Sequence, residues 1–192
     1  MKTNFYSVAP FIKEFYPQYY SIESYPAAEC VTIHKLTDEW GVFSNFAHTP
    51  LLVRGVRFKT AEQLFQFLKF KDKEAADAVY KSAKPKMTAR HWEPICRRED
   101  WGQIIVDVMK FCLQTKYEQS EEFRNALSLT QGKYIVENQT TFKKKYADTW
   151  GVKLKGENFE GPNLLGRLLM ELRDNGCLTF SLPSDMFDFG AE

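Results

Sequence analysis

Hydrophobic and polar positions along the chain switch between two periods, and the switches predict its elements. In the first third, Phe11, Ile12 and Phe15 fall on one face of a short helix that must end before Pro17. Val31–Leu36 reads as a strand. Leu51–Phe58 reads as a hairpin turning near Arg54-Gly55. From Thr60 the pattern is helical. Thr60 and Gln63 form a capping box that opens a helix to about Lys71. Asp72 caps a second helix through Lys81, and Pro85 opens a third that ends near Trp92. Asp100, with Gln103 three residues on, opens a long helix to about Tyr117. Its stripe is Trp101, Ile104, Ile105, Val108 and Cys112. Ser120 caps the next helix, with Glu121 and Glu122 in its first turn, and Gly132 breaks it. Lys133–Glu137 alternates as a short strand, and Pro162 sits in the first turn of a last helix ending near Arg173. This order predicts a mainly α protein with a small antiparallel β element, an α+β fold in one compact domain.

The 192 residues suit one core. No apolar run approaches the ~20 residues that span a bilayer, and Lys13 and Glu14 interrupt any signal-peptide core. With Cys30, Cys96, Cys112 and Cys177 at no metal spacing, and His34, His48 and His91 scattered, the expectation is a reducing, cytoplasmic protein. Its thiols are expected to be free and buried, with no metal, cofactor or membrane partner. Net charge is +1, from 26 basic and 25 acidic residues, which argues against a polybasic protein that binds by counterion release. The balance hides segregation. Residues 133–155 carry six Lys against Glu137 and Asp148, and residues 174–192 carry four acids and no base. Each segment is a solvated face, or the two pair, or the basic one is a phosphate site. Eight of the 29 aromatics lie in residues 1–30: Phe5, Tyr6, Phe11, Phe15, Tyr16, Tyr19, Tyr20 and Tyr25. They make that segment either an arm packed on the domain or a mobile recognition arm.

The helix from Thr60 carries candidate chemistry. At 100° per residue, Glu62, Gln66 and Lys69 share one narrow stripe. Ala61, Leu64, Phe65, Phe67, Leu68 and Phe70 fill the rest, with Phe65 and Phe70 flanking the stripe. A helix apolar nearly all round is buried. A carboxylate and an amine buried on it suit a general acid/base or a lysine nucleophile. The same spacing also describes an ordinary solvent face. In the last helix, a Leu164–Leu165–Leu168–Leu169–Leu172 stripe faces the core, and Gly166 implies close approach to another helix or a ligand. Gly41–Phe46 is a loop with two aromatics around Ser44 and Asn45.

Five segments in order, over about residues 31–175, resemble the YbiA-like, or NADAR, family. Gly41–Phe46 is similar to its G-x-F-S-N-F loop, and Thr60–Phe70 to its glutamate–lysine helix. Trp101 and Met109 fit its W-x₇-M helix. Trp150-Gly151 fits its W-G, and Gly161–Arg173 its G-x-N-x-L-G-x-x-L-M-x-x-R ending. Residues 1–30, the aromatic arm, and 176–192, the acidic tail, lie outside.

The resemblance implies an N-glycosidase that cleaves ribose C1′ from an exocyclic base nitrogen. Its substrate would be a ribosylamino-pyrimidine phosphate of riboflavin biosynthesis. Relatives that remove ADP-ribose from guanine imply a second substrate, ADP-ribosylated nucleic acid, and a third reading is a module that binds ADP-ribose without cleaving it. Glu62 and Lys69 are carried over as catalytic. From them we expect general acid/base help from Glu62 and, if burial lowers the lysine pKa, attack of Lys69 on C1′ to form a Schiff base, with direct displacement by water as the alternative. The family aspartate falls at Ala147; Asp148, one residue later, is the candidate in its place. Trp101 is carried over to stack on the base, with Gln66, Asn45 and Asn163 as hydrogen-bonding groups. Ser44, Phe46 and Trp150 line the site, and Arg90 or the 143–145 lysines meet a phosphate.

Overall fold

Side-chain caps fix three helix starts in the computed structural model, which describes residues 8–188. The N-terminal α1 (Ala9–Phe15) is followed by seven short strands and six further helices: β1 (Glu23–Pro26), β2 (Cys30–Ile33), β3 (Leu51–Val53), β4 (Val56–Phe58), α2 (Ala61–Phe67), α3 (Lys73–Lys81), α4 (Pro85–Cys96), α5 (Trp101–Gln119), α6 (Glu121–Ser128), β5 (Tyr134–Glu137), β6 (Lys153–Lys155), β7 (Asn158–Gly161) and α7 (Leu164–Asn175). Thr60, Asp72 and Ser120 each accept a hydrogen bond from a first-turn backbone N–H, as their sequence positions predict. Arg54 and Gly55, both at positive φ, turn the β3–β4 hairpin.

A distant contact decides where α2 ends. α2 stops at Phe67 rather than Lys71. Phe70 forms a β-bridge with Arg97, and Arg98 N–H donates to the Lys69 carbonyl at 2.9 Å. That bond takes the Lys69 carbonyl that further helix would use. α4 runs past Trp92 and Pro94 to Cys96. Asp100 does not cap α5 with its side chain; its carboxylate is held by Arg98 at 2.8 and 2.9 Å. Pro162 precedes α7, whose N-cap is Asn163 in the left-handed region at φ 52°. The strands β1, β6 and β7, unread in the sequence, form an antiparallel sheet in the order β1-β7-β6. A parallel pair, β2–β5, joins the antiparallel elements that were expected.

The long helix α5 runs through the core. Its predicted stripe is buried, and so are Val106, Met109 and Leu113. α7 packs its leucines inward and lies so close to β5 that a Cβ at Gly166 would meet the Ile135 carbonyl oxygen at 2.0 Å. Helix–strand contact therefore explains that glycine.

The N-terminal segment is tied to α5. Ile12 is fully buried, the Tyr16 hydroxyl donates to the Gln103 carbonyl, and the Phe11 ring covers Gly102. Tyr19 Oη donates to Glu171 at 2.6 Å. Phe5 and Tyr6 lie outside the described residues. Among the described residues, the acidic tail makes no ion pair with the lysine-rich stretch. Asp185 instead bridges Arg98 at 2.9 Å and Lys71 at 2.6 Å, and Phe187 packs on Phe111. None of the four cysteines is disulfide-bonded, but only Cys112 is fully buried; Cys30 and Cys96 are half-buried and Cys177 is exposed. Among the described residues, no helix is long and apolar enough to cross a membrane.

Candidate active site

α2 is buried on every side, so its polar stripe cannot face bulk water; it faces a cavity of about 1120 Å³. Glu62, Phe65, Gln66 and Lys69 line one wall. The Ser44–Phe46 loop lies beside them, joined to α2 by the Glu62 N–H, which donates to the Asn45 carbonyl at 2.8 Å. Lys116 holds this loop from beneath, its Nζ donating to the carbonyls of Val42 at 2.6 Å and Ser44 at 2.9 Å. Burial of that ammonium lowers its pKa to about 7. α4 contributes Lys86, Arg90, Glu93 and Arg97, and α5 contributes Trp101, Ile105 and Met109. Glu137 at the end of β5, and Ala147, Asp148 and Trp150 beyond it, close the opposite side.

The structure brings together ten of the eleven residues singled out in the sequence. Glu62 Oε1 accepts from Gln66 Nε2 at 2.9 Å and lies 3.9 Å from Lys86 Nζ. Lys69 lies just past the end of α2, and its Nζ donates to Glu93 Oε1 at 2.7 Å. Burial lowers the Lys69 pKa, and the Glu93 charge opposes that shift. The ammonium also sits 5.5 Å from the Trp101 ring centre and 5.7 Å from that of Phe65. Trp101 is only 2% exposed and meets Phe65 edge-on at 5.2 Å, so it acts as a wall behind Lys69 rather than an open stacking platform. Trp150 flanks Phe65 on its other side at 5.9 Å. Phe46 keeps an exposed ring at the mouth beneath Lys86. Asp148 Oδ1 accepts from Gln139 Nε2 at 2.6 Å and from Trp150 N–H at 3.0 Å, which fixes the carboxylate at the cavity edge.

Asn163 is the exception. It is fully buried outside the cavity, donating to the Ile135 carbonyl at 2.9 Å and accepting from Glu137 N–H at 3.2 Å. Its amide holds β5, not a ligand. Phe43 belongs to the core, stacked on Trp40 at 5.6 Å. Of the 143–145 lysines, Lys144 and Lys145 line the cavity.

Glu93 and Glu137 are not among the candidates in the sequence, and the arm, expected to pack on the domain or to act in recognition, has no place at the site assigned from sequence. Glu93 lies in α4 with no motif around it. Glu137 had a signal: in a strand of period two it shares a face with buried Ile135. Burial pushes its carboxyl up to about 7, and the Asp148 charge adds to the shift. Val8, Ala9, Phe11, Tyr20 and Ile22 form the outer wall, so residues 8–22 are part of the cavity.

Three oxygens sealed from solvent have no hydrogen-bond partner among the described residues: Asn45 Oδ1, Gln66 Oε1 and Glu137 Oε2. The residues that carry them, Asn45, Gln66 and Glu137, all line this cavity. Unpaired buried oxygens are costly, on the order of 1–3 kcal/mol each.

The NADAR domain model matches residues 33–175. The chain belongs to the NADAR family. N-glycosidase YbiA of Escherichia coli K12 is 34% identical over 146 residues, covering 75% of this NADAR protein and 86% of the relative. A riboflavin biosynthesis protein of Vibrio vulnificus is 25% identical over 158 residues, covering 81% of this chain and 41% of its own length. The solved structure of E. coli YbiA superposes with a TM-score of 0.62 at 32% identity, over 76% of this chain and 83% of that one. The arm that walls this NADAR cavity lies before the matched segment.

Proposed function

We propose that this chain is an N-glycosidase that hydrolyses the bond between ribose C1′ and an exocyclic nitrogen of a base, in a ribosylamino-pyrimidine phosphate. The observation that carries the reading is that Glu62, Lys69 and Glu137 line one cavity together with the polar side chains of Asn45 and Gln66. A ribose with its hydroxyls and a base with an amino group suit such a polar wall. The named activities of the relatives agree with it.

Cleavage of this bond requires a proton for the leaving nitrogen and a partner for the electron-poor C1′. Glu137, with a carboxyl that titrates near neutrality, retains a proton to give. Lys69 Nζ attacks C1′; the C1′–N bond breaks, its electron pair stays on the base nitrogen, and that nitrogen takes the Glu137 proton. The ribosyl-lysine loses an Nζ proton and opens at C1′–O4′, with a proton added to O4′, to give an imine. Water adds to C1′ under base help from Glu62, and Nζ leaves as the free amine. Gln66, fixed by Glu62, and Asn45 orient the sugar. Arg90 and Lys86 on one side and Lys144 and Lys145 on the other meet phosphate.

One observation favours a second substrate, ADP-ribose carried on guanine in nucleic acid. Lys144 and Lys145 border the cavity together with exposed Phe142 and Tyr146. The deciding experiment measures kcat/KM on a ribosylamino-pyrimidine phosphate and on an ADP-ribosylated guanine oligonucleotide across a salt series. The first reading predicts turnover of the small phosphate with a shallow salt slope. A preference for the oligonucleotide that collapses as salt rises supports the second. Binding of ADP-ribose without turnover of either substrate overturns both.

A further inference from the structure

Two charged side chains, Glu93 and Arg97, join Lys69 to the Phe11 ring of the N-terminal arm. Lys69 Nζ lies 2.7 Å from Glu93 Oε1, with both side chains nearly sealed from solvent. Glu93 Oε2 faces Arg97 Nη1 at 3.8 Å. The Arg97 guanidinium lies 5.4 Å from the Phe11 ring centre, and Phe11 is seated on Gly102. All four side chains border the cavity. Glu62, by contrast, is engaged by Gln66 and Lys86. Glu93 is therefore the carboxylate at hydrogen-bond distance from the amine.

We propose that Glu93 is the positioning residue that takes and returns the Lys69 proton, and that Arg97, under Phe11 of α1, holds it in place. This rests on the imine reading of Lys69 given above. The Nζ proton moves to Glu93 Oε1, leaving a neutral amine and a carboxylic acid. The amine pair forms the bond to sugar C1. When ribose 5-phosphate is the partner, Nζ passes a proton to the former aldehyde oxygen, giving a carbinolamine. Its hydroxyl then departs as water with the proton from Glu93. The products are a protonated imine and a Glu93 carboxylate beside it, so atoms and charge balance.

Glu93 and Lys86 from α4 and Glu62 from α2 act on the Lys69 proton. Arg97, Glu137 and Asp148 are the further charged groups lining the same cavity. The rings of Phe65 and Trp101 complete its surroundings. Burial drives the proton off and Glu93 opposes this, so neutralising Glu93 lets Lys69 deprotonate at lower pH.

The test incubates the full chain with ribose 5-phosphate and cyanoborohydride over a pH series and quantifies the reduced adduct on Lys69 by peptide mass spectrometry. In the wild type, trapping rises with pH as the amine is freed. In Glu93→Gln the rising limb shifts to lower pH by about one unit or more, and the plateau trapping rate falls. A Glu93 that acts only through its charge shifts the limb and leaves the plateau rate unchanged, and a merely structural one lowers the yield at every pH with the limb in place; an unmoved limb or an undiminished plateau overturns the proposal. Where the Gln variant does not fold by circular dichroism, Glu93→Asp, which sets the charge one bond further from Nζ, shifts the limb less and in the same direction, and no shift overturns it. If the wild type gives no adduct on Lys69 at any pH, the imine reading itself fails. An adduct whose limb ignores Glu93 defeats this inference alone.

Discussion

Glu137 combines a catalytic use with a cost to the fold. The free carboxyl of a glutamate releases its proton near 4.5; burial moves the release here to about 7. Between those values the folded chain holds a proton that the unfolded chain has lost, so stability falls as pH rises through that window and the penalty is complete above it. Glu137→Gln removes the buried charge. The variant should be more stable than wild type at pH 8, on the order of 2 kcal/mol, and equally stable near pH 4. Denaturant melts at the two pH values check this. Glycosidase activity should fall by about 100-fold or more, the scale of a lost general acid. In the wild type, kcat should decline above neutrality as Glu137 loses its proton.

At the scale of elements, α1 is held by contacts that a single methyl group can disturb. Gly102→Ala places a Cβ 2.5 Å from the Phe11 ring. The alanine gains up to about 1 kcal/mol of helix propensity, but overpacking costs about 1–3 kcal/mol. The net expectation is a small loss of stability. With Phe11 shifted off Arg97, KM should rise several-fold while α5 stays helical, as checked by thermal melts and steady-state kinetics. These elements also show what a sequence reveals. The starts of α2, α3 and α6 were legible because each cap lies within four residues of its partner. The end of α2 was not, because it is set by Arg97 and Arg98, some thirty residues away. β1 pairs with β7 across most of the chain, in strands of four residues with no distinctive alternation. Glu62, Gln66 and Lys69 could be found because buried polar groups stand out on an apolar helix. Glu93 could not, since its importance comes only from where α4 packs.

For the whole molecule, the near-neutral net charge and the abundance of rings both resolve into places. Asp185 of the acidic tail is spent on Arg98 and Lys71, which clamps the α2–α3 and α4–α5 junctions. The basic stretch instead supplies Lys144 and Lys145 to the cavity, opposite Lys86 and Arg90. The aromatic excess divides between a core built around Phe43, Phe58 and Phe123, a wall of Phe65, Trp101 and Trp150, and an exposed rim of Phe46, Phe142, Tyr146 and Tyr20. Phe11 and Tyr20 come from the arm, ahead of the family segment, so the cavity is completed by chain that the family match does not include. The account's central claim is that the Glu62–Lys69 side of this cavity breaks the ribosyl C1′–N bond. Its most direct test is the release of ribose 5-phosphate from a ribosylamino-pyrimidine phosphate by wild type, Glu62→Gln and Lys69→Ala, with folding of each confirmed by thermal melt. The account predicts steady release by the wild type and a fall of about 100-fold or more in each folded variant; full activity in both variants would contradict it.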